Sequence, residues 1–254
     1  MDPKTAYLHS VIANHTPSIG APLSALNTLG PVIRPWAGQY LLEFRPSGSF
    51  AKGTAVRLLT DVDLFISLSP NLNATEWPLS KVYQSLFDEL QAKNYSPRKQ
   101  NVSIGVNLNG LNVDLVPGRK QGHLTTDHSL YSHKQKTWKK TNINTHINTV
   151  KLSGRQNEIK LTKIWRTRQG LEFPSFCIEL FVIDRLRGHN FYDLANNMVA
   201  VLRELSTSIE TCRLADPGNI SNNVADDLTS SEKRAIAVAA TNSLNAARWE
   251  DIIW

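Results

Sequence analysis

The stretch GSFAKGTAVRLLTDVDLF, from Gly48 to Phe65, constrains the fold more than any other part of the chain. Asp61-Val62-Asp63 opens the run DVDLFISLSP (Asp61–Pro70), which reads as a β-strand closed by a turn. In a strand, residues i and i+2 point to one face. The carboxylates of Asp61 and Asp63 therefore project together, while Val62 and Leu64 point toward a core. Two like charges side by side are costly unless a cation neutralises them. Mg²⁺ suits the place, because it takes oxygen ligands and keeps room for substrate phosphates. Just upstream, QYLLEFRP (Gln39–Pro46) reads as another strand, followed by Gly48-Ser49 and then Gly53-Thr54 in one connection. Small residues let backbone N–H groups approach a phosphate, and a hydroxyl adds a donor. A helix beginning near Ser49 would add the positive end of its dipole.

A third carboxylate follows. VSIGVNLNGLNVDLVPG (Val102–Gly118) carries Asn109-Gly110 between two alternating runs, a hairpin signal with arms Val102–Leu108 and Leu111–Val116. Asp114 lies on the second arm, with Val113 and Leu115 facing the other way. If that arm pairs beside the Asp61–Asp63 strand, three acids converge into the ligand set of two-metal phosphoryl transfer.

Around these strands, the first forty residues read as helical material broken at Pro17, Pro22, Pro31 and Pro35. Pro78–Lys93 has helical apolar spacing. The second half is mainly helical, with helices expected at Gln156–Gln169, Ser175–Leu186 and Tyr192–Ser206. A capping box at Thr229 and Glu232 should open a helix reaching about Trp249. The expected class is α+β: residues 1–150 form a lobe with a mixed sheet and an N-terminal helical segment. That lobe packs against a helical lobe, 151–254, with a cleft between them.

Composition narrows the partners. The net charge is +6. From Gly118 to Arg168 there are twelve Lys or Arg against two acids, Asp127 and Glu158, a local charge of +10. Such a segment suits phosphate-rich partners, although a plain solvated surface gives the same count. Cys177 and Cys212 are the two cysteines, far apart in apolar or helix-like surroundings. They argue against a disulfide scaffold and a cysteine zinc site, and for a reducing cytoplasm. No apolar run approaches a membrane span, and MDPKTAYLHS lacks the features of a secretory signal.

The Gly-Ser…Asp-x-Asp stretch resembles the signature of polymerase-β-like nucleotidyltransferases. More narrowly, it is similar to the group of CD-NTases, cyclic GMP-AMP synthase and 2′-5′ oligoadenylate synthetases. VDLVPG (Val113–Gly118) resembles that group's third-carboxylate strand. IKLTKIWRTR (Ile159–Arg168) resembles its Lys-x-Trp helix, FPSFCIEL (Phe173–Leu180) the serine segment after it, and DPGNISNNVADDLTSSE (Asp216–Glu232) a late Asp-Pro…Asn-Asn stretch. The resemblance implies that Gly48 and Ser49 hold the β- and γ-phosphates. Asp61, Asp63 and Asp114 would bind two Mg²⁺ (with Mn²⁺ as the alternative), and Asp114 would help deprotonate the acceptor. Lys163 and Ser175 would contact the triphosphate.

The implied activity is template-independent synthesis of a short cyclic or linear oligonucleotide from NTPs or dNTPs, as an antiphage-defence signal read by an effector protein. An RNA or DNA could serve as acceptor or activator. Two other readings stand beside it: nucleotide transfer to an RNA 3′ end or a protein hydroxyl, and a catalytically silent nucleic-acid-binding module. No cluster of the seven histidines resembles the zinc insertion of cyclic GMP-AMP synthase.

Overall fold

The computed structural model describes residues 2–57 and 61–254. They form two compact units. A sheet unit holds Ser18–Lys52 and Thr60–Ile147, and a helical unit holds Met1–Pro17, Gly53–Leu59 and Asn148–Trp254.

The chain opens with α1 (Pro3–His15), part of the helical unit. Asp2 caps it by accepting a hydrogen bond from Thr5 N–H. The sheet unit then runs α2 (Gly20–Ala37), β1 (Leu41–Pro46), α3 (Gly48–Lys52), β2 (Val62–Leu68), α4 (Leu79–Ala92), β3 (Arg98–Lys99), β4 (Ile104–Leu108), β5 (Leu111–Lys120), β6 (His128–Ser132) and β7 (Thr137–Thr141). Strand order is β1-β2-β5-β4-β3, with β6 pairing β5 and β7. β2 and β5 run parallel and the other pairs antiparallel, so the sheet is mixed as expected.

Alternation sorts the two faces. Val62, Leu64, Ile66 and Leu68 of β2 join Ile104, Val106, Val113 and Leu115 in a core with α2 and α4. Burying each such aliphatic side chain stabilises the fold by about 1.5–3 kcal/mol. The opposite face of β2 and β5 is left to Asp63 and Asp114, and further along to Phe65. The Phe65 ring meets His128 edge-on with centroids 4.9 Å apart. The β4–β5 turn has positive φ at both Asn109 (50°) and Gly110 (93°), as a primed hairpin turn requires.

The prolines behave differently from the sequence expectation. Pro17 does separate α1 from α2, but α2 runs continuously through Pro31 and Pro35. Each proline removes one helical N–H. The helix persists because Ala25, Leu29, Val32, Ile33 and Ala37 are buried in the sheet unit's core. The β6–β7 hairpin and α5 (Ile143–Leu152) were not anticipated.

The helical unit comprises α1 with α6 (Gln156–Arg168), α7 (Ser175–Arg185), α8 (Leu194–Ser208) and α9 (Ser230–Leu244), plus the small pair β8 (Ala215–Asp216) and β9 (Asn219–Asn223). Trp165, Phe173, Phe181, Met198 and Ile236 anchor its core. The Trp165 indole donates to Ser243 Oγ at 2.9 Å. The capping box at Thr229 and Glu232 is present. The helix it opens ends at Leu244, short of Trp249, where Asn245 provides the C-cap. The Asp-Pro…Asn-Asn stretch forms β8 and β9: Asp216 accepts from Gly218 N–H, and Asn223 caps the 3₁₀ turn Val224–Asp227.

Candidate active site

Asp63 and Asp114 lie side by side because parallel strands β2 and β5 put them in register. Asp61 sits one residue before β2 and is exposed. Among the described residues, no three His, Cys, Asp or Glu already close into a metal-sized group. The structure thus places Asp63 and Asp114 together, with Asp61 within electrostatic reach of Asp114.

The Gly48 loop is fitted to this pair. Ser47 N–H donates to the Asp63 carbonyl at 2.8 Å, tying the end of β1 to β2. Gly48 then turns with φ of 54°. A Cβ there would lie 1.7 Å from Asp63 Oδ2. Only glycine supplies both the left-handed backbone and the space for that carboxylate. Ser49, half-buried, follows in the first turn of the five-residue helix α3.

Asp114 is held by residues that no motif announces. Gln100 Nε2 donates to its Oδ1 at 2.9 Å. Ser103 Oγ donates to Gln100 Oε1 at 2.6 Å and lies 3.5 Å from Asp114 Oδ2. The Tyr83 hydroxyl fixes the segment, accepting from Gln100 N–H at 3.0 Å and lying 2.8 Å from the Ser103 carbonyl. Gly105, paired opposite Asp114, leaves room for all this. A Cβ on Gly105 would sit 2.9 Å from Gln100 Nε2 and 3.2 Å from Asp114 Oδ1. Burial pushes the Asp114 carboxyl above the usual range, and the Asp61 charge pushes the same way. The hydrogen bonds from Gln100 and Ser103 and the charge of Arg98 pull it partly back. Gln100 lies outside every sequence pattern. Only the pairing of β4 with β5 reveals its role.

The donor set is all oxygen, two of its members are in register, and the third raises the proton affinity of one of them. A divalent cation relieves that repulsion, so these residues fit the Mg²⁺ expected from the sequence.

Lys163 and Ser175 belong to the helical unit. The sequence expectation for Lys163 was a phosphate contact. Its geometry is that of a buried ion pair: Nζ is 2.7 Å from Glu179 Oε1, with both side chains 2% exposed. It also donates to Thr54 Oγ1 at 3.0 Å, and Thr54 Oγ1 donates to Glu179 at 2.8 Å. These three residues fix the loop that follows α3 in the chain. Ser175 is the first residue of α7 and accepts from Arg166 Nη1 at 3.3 Å. Cys177 and Cys212 are free thiols, both buried, and burial pushes Cys177 up to about 12.

Residues 36–153 match the model of the Second Messenger Oligonucleotide or Dinucleotide Synthetase domain. The span covers Gly48, Ser49 and all three aspartates. Over that span the chain is similar to the CD-NTase nucleotidyltransferases. It is 28% identical over 240 residues to the cyclic AMP-AMP-AMP synthase of Escherichia coli (strain MS 115-1), covering 79% of this chain and 74% of that protein. The structure of E. coli MS115-1 CdnC with ATP superposes with a TM-score of 0.74 at 25% identity, over 93% of this chain and 90% of that one. Bradyrhizobium diazoefficiens CdnG in complex with GTP shares the fold, with a TM-score of 0.78 at 14% identity over 96% and 91% of the two chains. The fold is therefore polymerase-β-like, and those two solved relatives hold nucleoside triphosphates. Nucleotidyltransferases of this superfamily are metal-dependent. No helix among the described residues is long and apolar enough to cross a membrane.

Proposed function

We propose that this chain works as a CD-NTase, joining nucleoside monophosphates into a short oligonucleotide, a cyclic oligoadenylate foremost, that serves as a signal in antiphage defence and acts through an effector protein. The observation that carries the reading is the in-register pair Asp63 and Asp114 beside the Gly48 turn, within a domain of second-messenger synthetases. The adenylate product follows the E. coli relative that makes cyclic AMP-AMP-AMP.

Each residue has a defined task in this reading. The Gly48-Ser49 backbone and the Ser49 hydroxyl receive the β- and γ-phosphates. Asp61, Asp63 and Asp114 would hold two divalent cations, Mg²⁺ or Mn²⁺. When bound, these ions lower the pKa of the acceptor hydroxyl and neutralise the departing pyrophosphate. Asp114 takes the proton from the acceptor hydroxyl, which attacks the α-phosphorus as the bond to pyrophosphate breaks. Gln100 and Ser103 keep its carboxylate aimed. Lys163 acts through Glu179 and Thr54 on the loop after α3, and Ser175 takes a contact to the triphosphate.

The test is product analysis. The purified chain is incubated with the four NTPs, and separately the four dNTPs, with Mg²⁺ or Mn²⁺, beside an Asp61→Ala/Asp63→Ala variant. A cyclic or linear oligonucleotide seen by mass spectrometry only with the unmutated chain supports the reading. A lasting lack of small products under all these conditions sinks it.

One observation favours a second reading, nucleotide addition to an RNA end. The β6–β7 hairpin exposes Lys134, Lys136, Lys139 and Lys140 together with Trp138, which is 57% exposed. Cations flanking an aromatic face suit a single-stranded nucleic acid. RNA elongated in the same assay would decide for it.

A further inference from the structure

At the other end of β2 from Asp63, the sheet unit encloses a second cavity. Its volume is about 600 Å³, within the range of small-molecule sites. The walls come from the end of α2, the turn into β1, the last residue of β2 and one side of α4. Trp36, Tyr40 and Trp77 supply aromatic surface, and Leu72 an apolar floor. All three rings are only partly covered. The Trp36 indole is braced by a 3.2 Å hydrogen bond to Ser85 Oγ, so the pocket is held open by a link between α2 and α4.

The charged groups of this lining are of one sign. Asp88 and Glu89 face the cavity, and no Lys or Arg is among the described residues that line it. That is notable in a chain with 28 Lys and Arg and a net charge of +6. Two carboxylates in the lining disfavour a polyanion such as a triphosphate. The electron-rich faces of tryptophan and tyrosine attract cations, as do the two acids. Trp77 already has the ammonium of Lys81 4.4 Å from its ring centroid. Gln84 Nε2 donates to Asp88 at 2.7 Å, orienting that carboxylate. Glu89 lies 4.0 Å from the Lys93 ammonium.

We propose that this cavity is a binding site for a small organic cation with an apolar body, such as an aryl amidinium or an alkylammonium. Its apolar part lies against Trp36, Tyr40 and Trp77 while its charge meets Asp88 and Glu89. None of these residues belongs to the candidate active site, so the proposal stands apart from the assigned reaction.

Benzamidinium is the probe, with benzamide as its neutral and benzoate as its anionic isostere, each titrated calorimetrically against the full chain. The expected result is saturable benzamidinium binding with Kd of about 1 mM or below, and at least roughly fivefold weaker binding of both isosteres. Asp88→Asn/Glu89→Gln should weaken benzamidinium roughly fivefold without lowering Tm, since Asp88 is exposed and Glu89 half-buried. Trp77→Ala should weaken all three probes. Should that variant unfold, Trp77→Leu, which keeps apolar bulk and loses the π-face, should weaken benzamidinium more than benzamide. Equal binding of the three probes, no saturable benzamidinium binding up to about 10 mM, or binding indifferent to the double variant would each overturn the proposal.

Discussion

Replacing Gly48 by alanine tests the geometry of the site most directly. Two costs arise. The backbone sits at φ of 54°, where an L-residue is disfavoured by roughly 1–2 kcal/mol. The new Cβ would also lie 1.7 Å from Asp63 Oδ2, so the carboxylate has to leave its place beside Asp114. Gly53→Ala separates the two costs. Gly53 has φ of 73°, but its added Cβ meets only Gln156 Cγ at 3.8 Å, an ordinary contact. Both variants should therefore lose Tm by roughly 2–8 °C, from that backbone cost and the scaling for chains of this size. Only Gly48→Ala should also lose turnover, by about 100-fold or more, because a catalytic group displaced by about 1 Å costs that much. The assays are circular-dichroism melting at pH 7 and chromatographic quantification of product from ATP and Mg²⁺. Equal activity in the two variants, or a Gly48→Ala enzyme within about threefold of the parent, would refute the claim that this glycine makes room for Asp63.

Asp114→Asn should abolish product formation yet raise Tm at neutral pH in the absence of metal. The raised folded pKa means that the stability tied to the protonated carboxyl is present below its unfolded pKa and lost as pH rises through the folded one. Melting curves of the variant and parent should therefore converge as pH falls through the carboxylate range, and Mg²⁺ should stabilise the parent alone. Gln100→Leu removes a hydrogen bond that lowers the Asp114 pKa, so the acid limb of the rate–pH profile should move to higher pH. Lys163→Met or Glu179→Gln alone leaves a buried charge or a mismatched partner and should cost about 3–5 kcal/mol in urea unfolding. Joining Lys163→Met with Glu179→Leu should recover most of that loss.

The features legible in the sequence share a local cause. The Asn109-Gly110 turn, the Thr229 capping box and the alternation of β2 and β5 each depend on residues a few positions apart. The shared facing of Asp63 and Asp114 has the same origin, since a strand's period fixes it, whereas Asp61 lies just before β2 and Gly48 in the turn after β1. What escaped was set by distant packing. α2 survives two internal prolines because its apolar side is buried, a gain that local propensity does not contain. β6 and β7 read as polar linker because HSLYS and TWKKT carry little apolar alternation, and β7 is exposed over Thr137–Lys140. Gln100 reaches Asp114 only after β3, β4 and β5 have paired.

Charge shows most clearly where sequence counting misleads. Of the cations in the +10 segment, Arg155 is buried against Glu158, Lys163 against Glu179, and Arg166 spends its guanidinium on the Phe173 carbonyl and Ser175. These three make contacts within the helical unit. The charge that faces solvent is concentrated on the β6–β7 hairpin, in the same unit as the three aspartates. At the far end of β2, that unit turns acidic and aromatic around Trp36 and Trp77. Three regions of one unit thus present different chemistry: carboxylates in register, exposed cations, and carboxylates beside π-faces. Salt should discriminate among them. Contacts of the exposed lysines with nucleic acid should weaken steeply with ionic strength, whereas the buried pairs Arg155–Glu158 and Lys163–Glu179 should hardly respond.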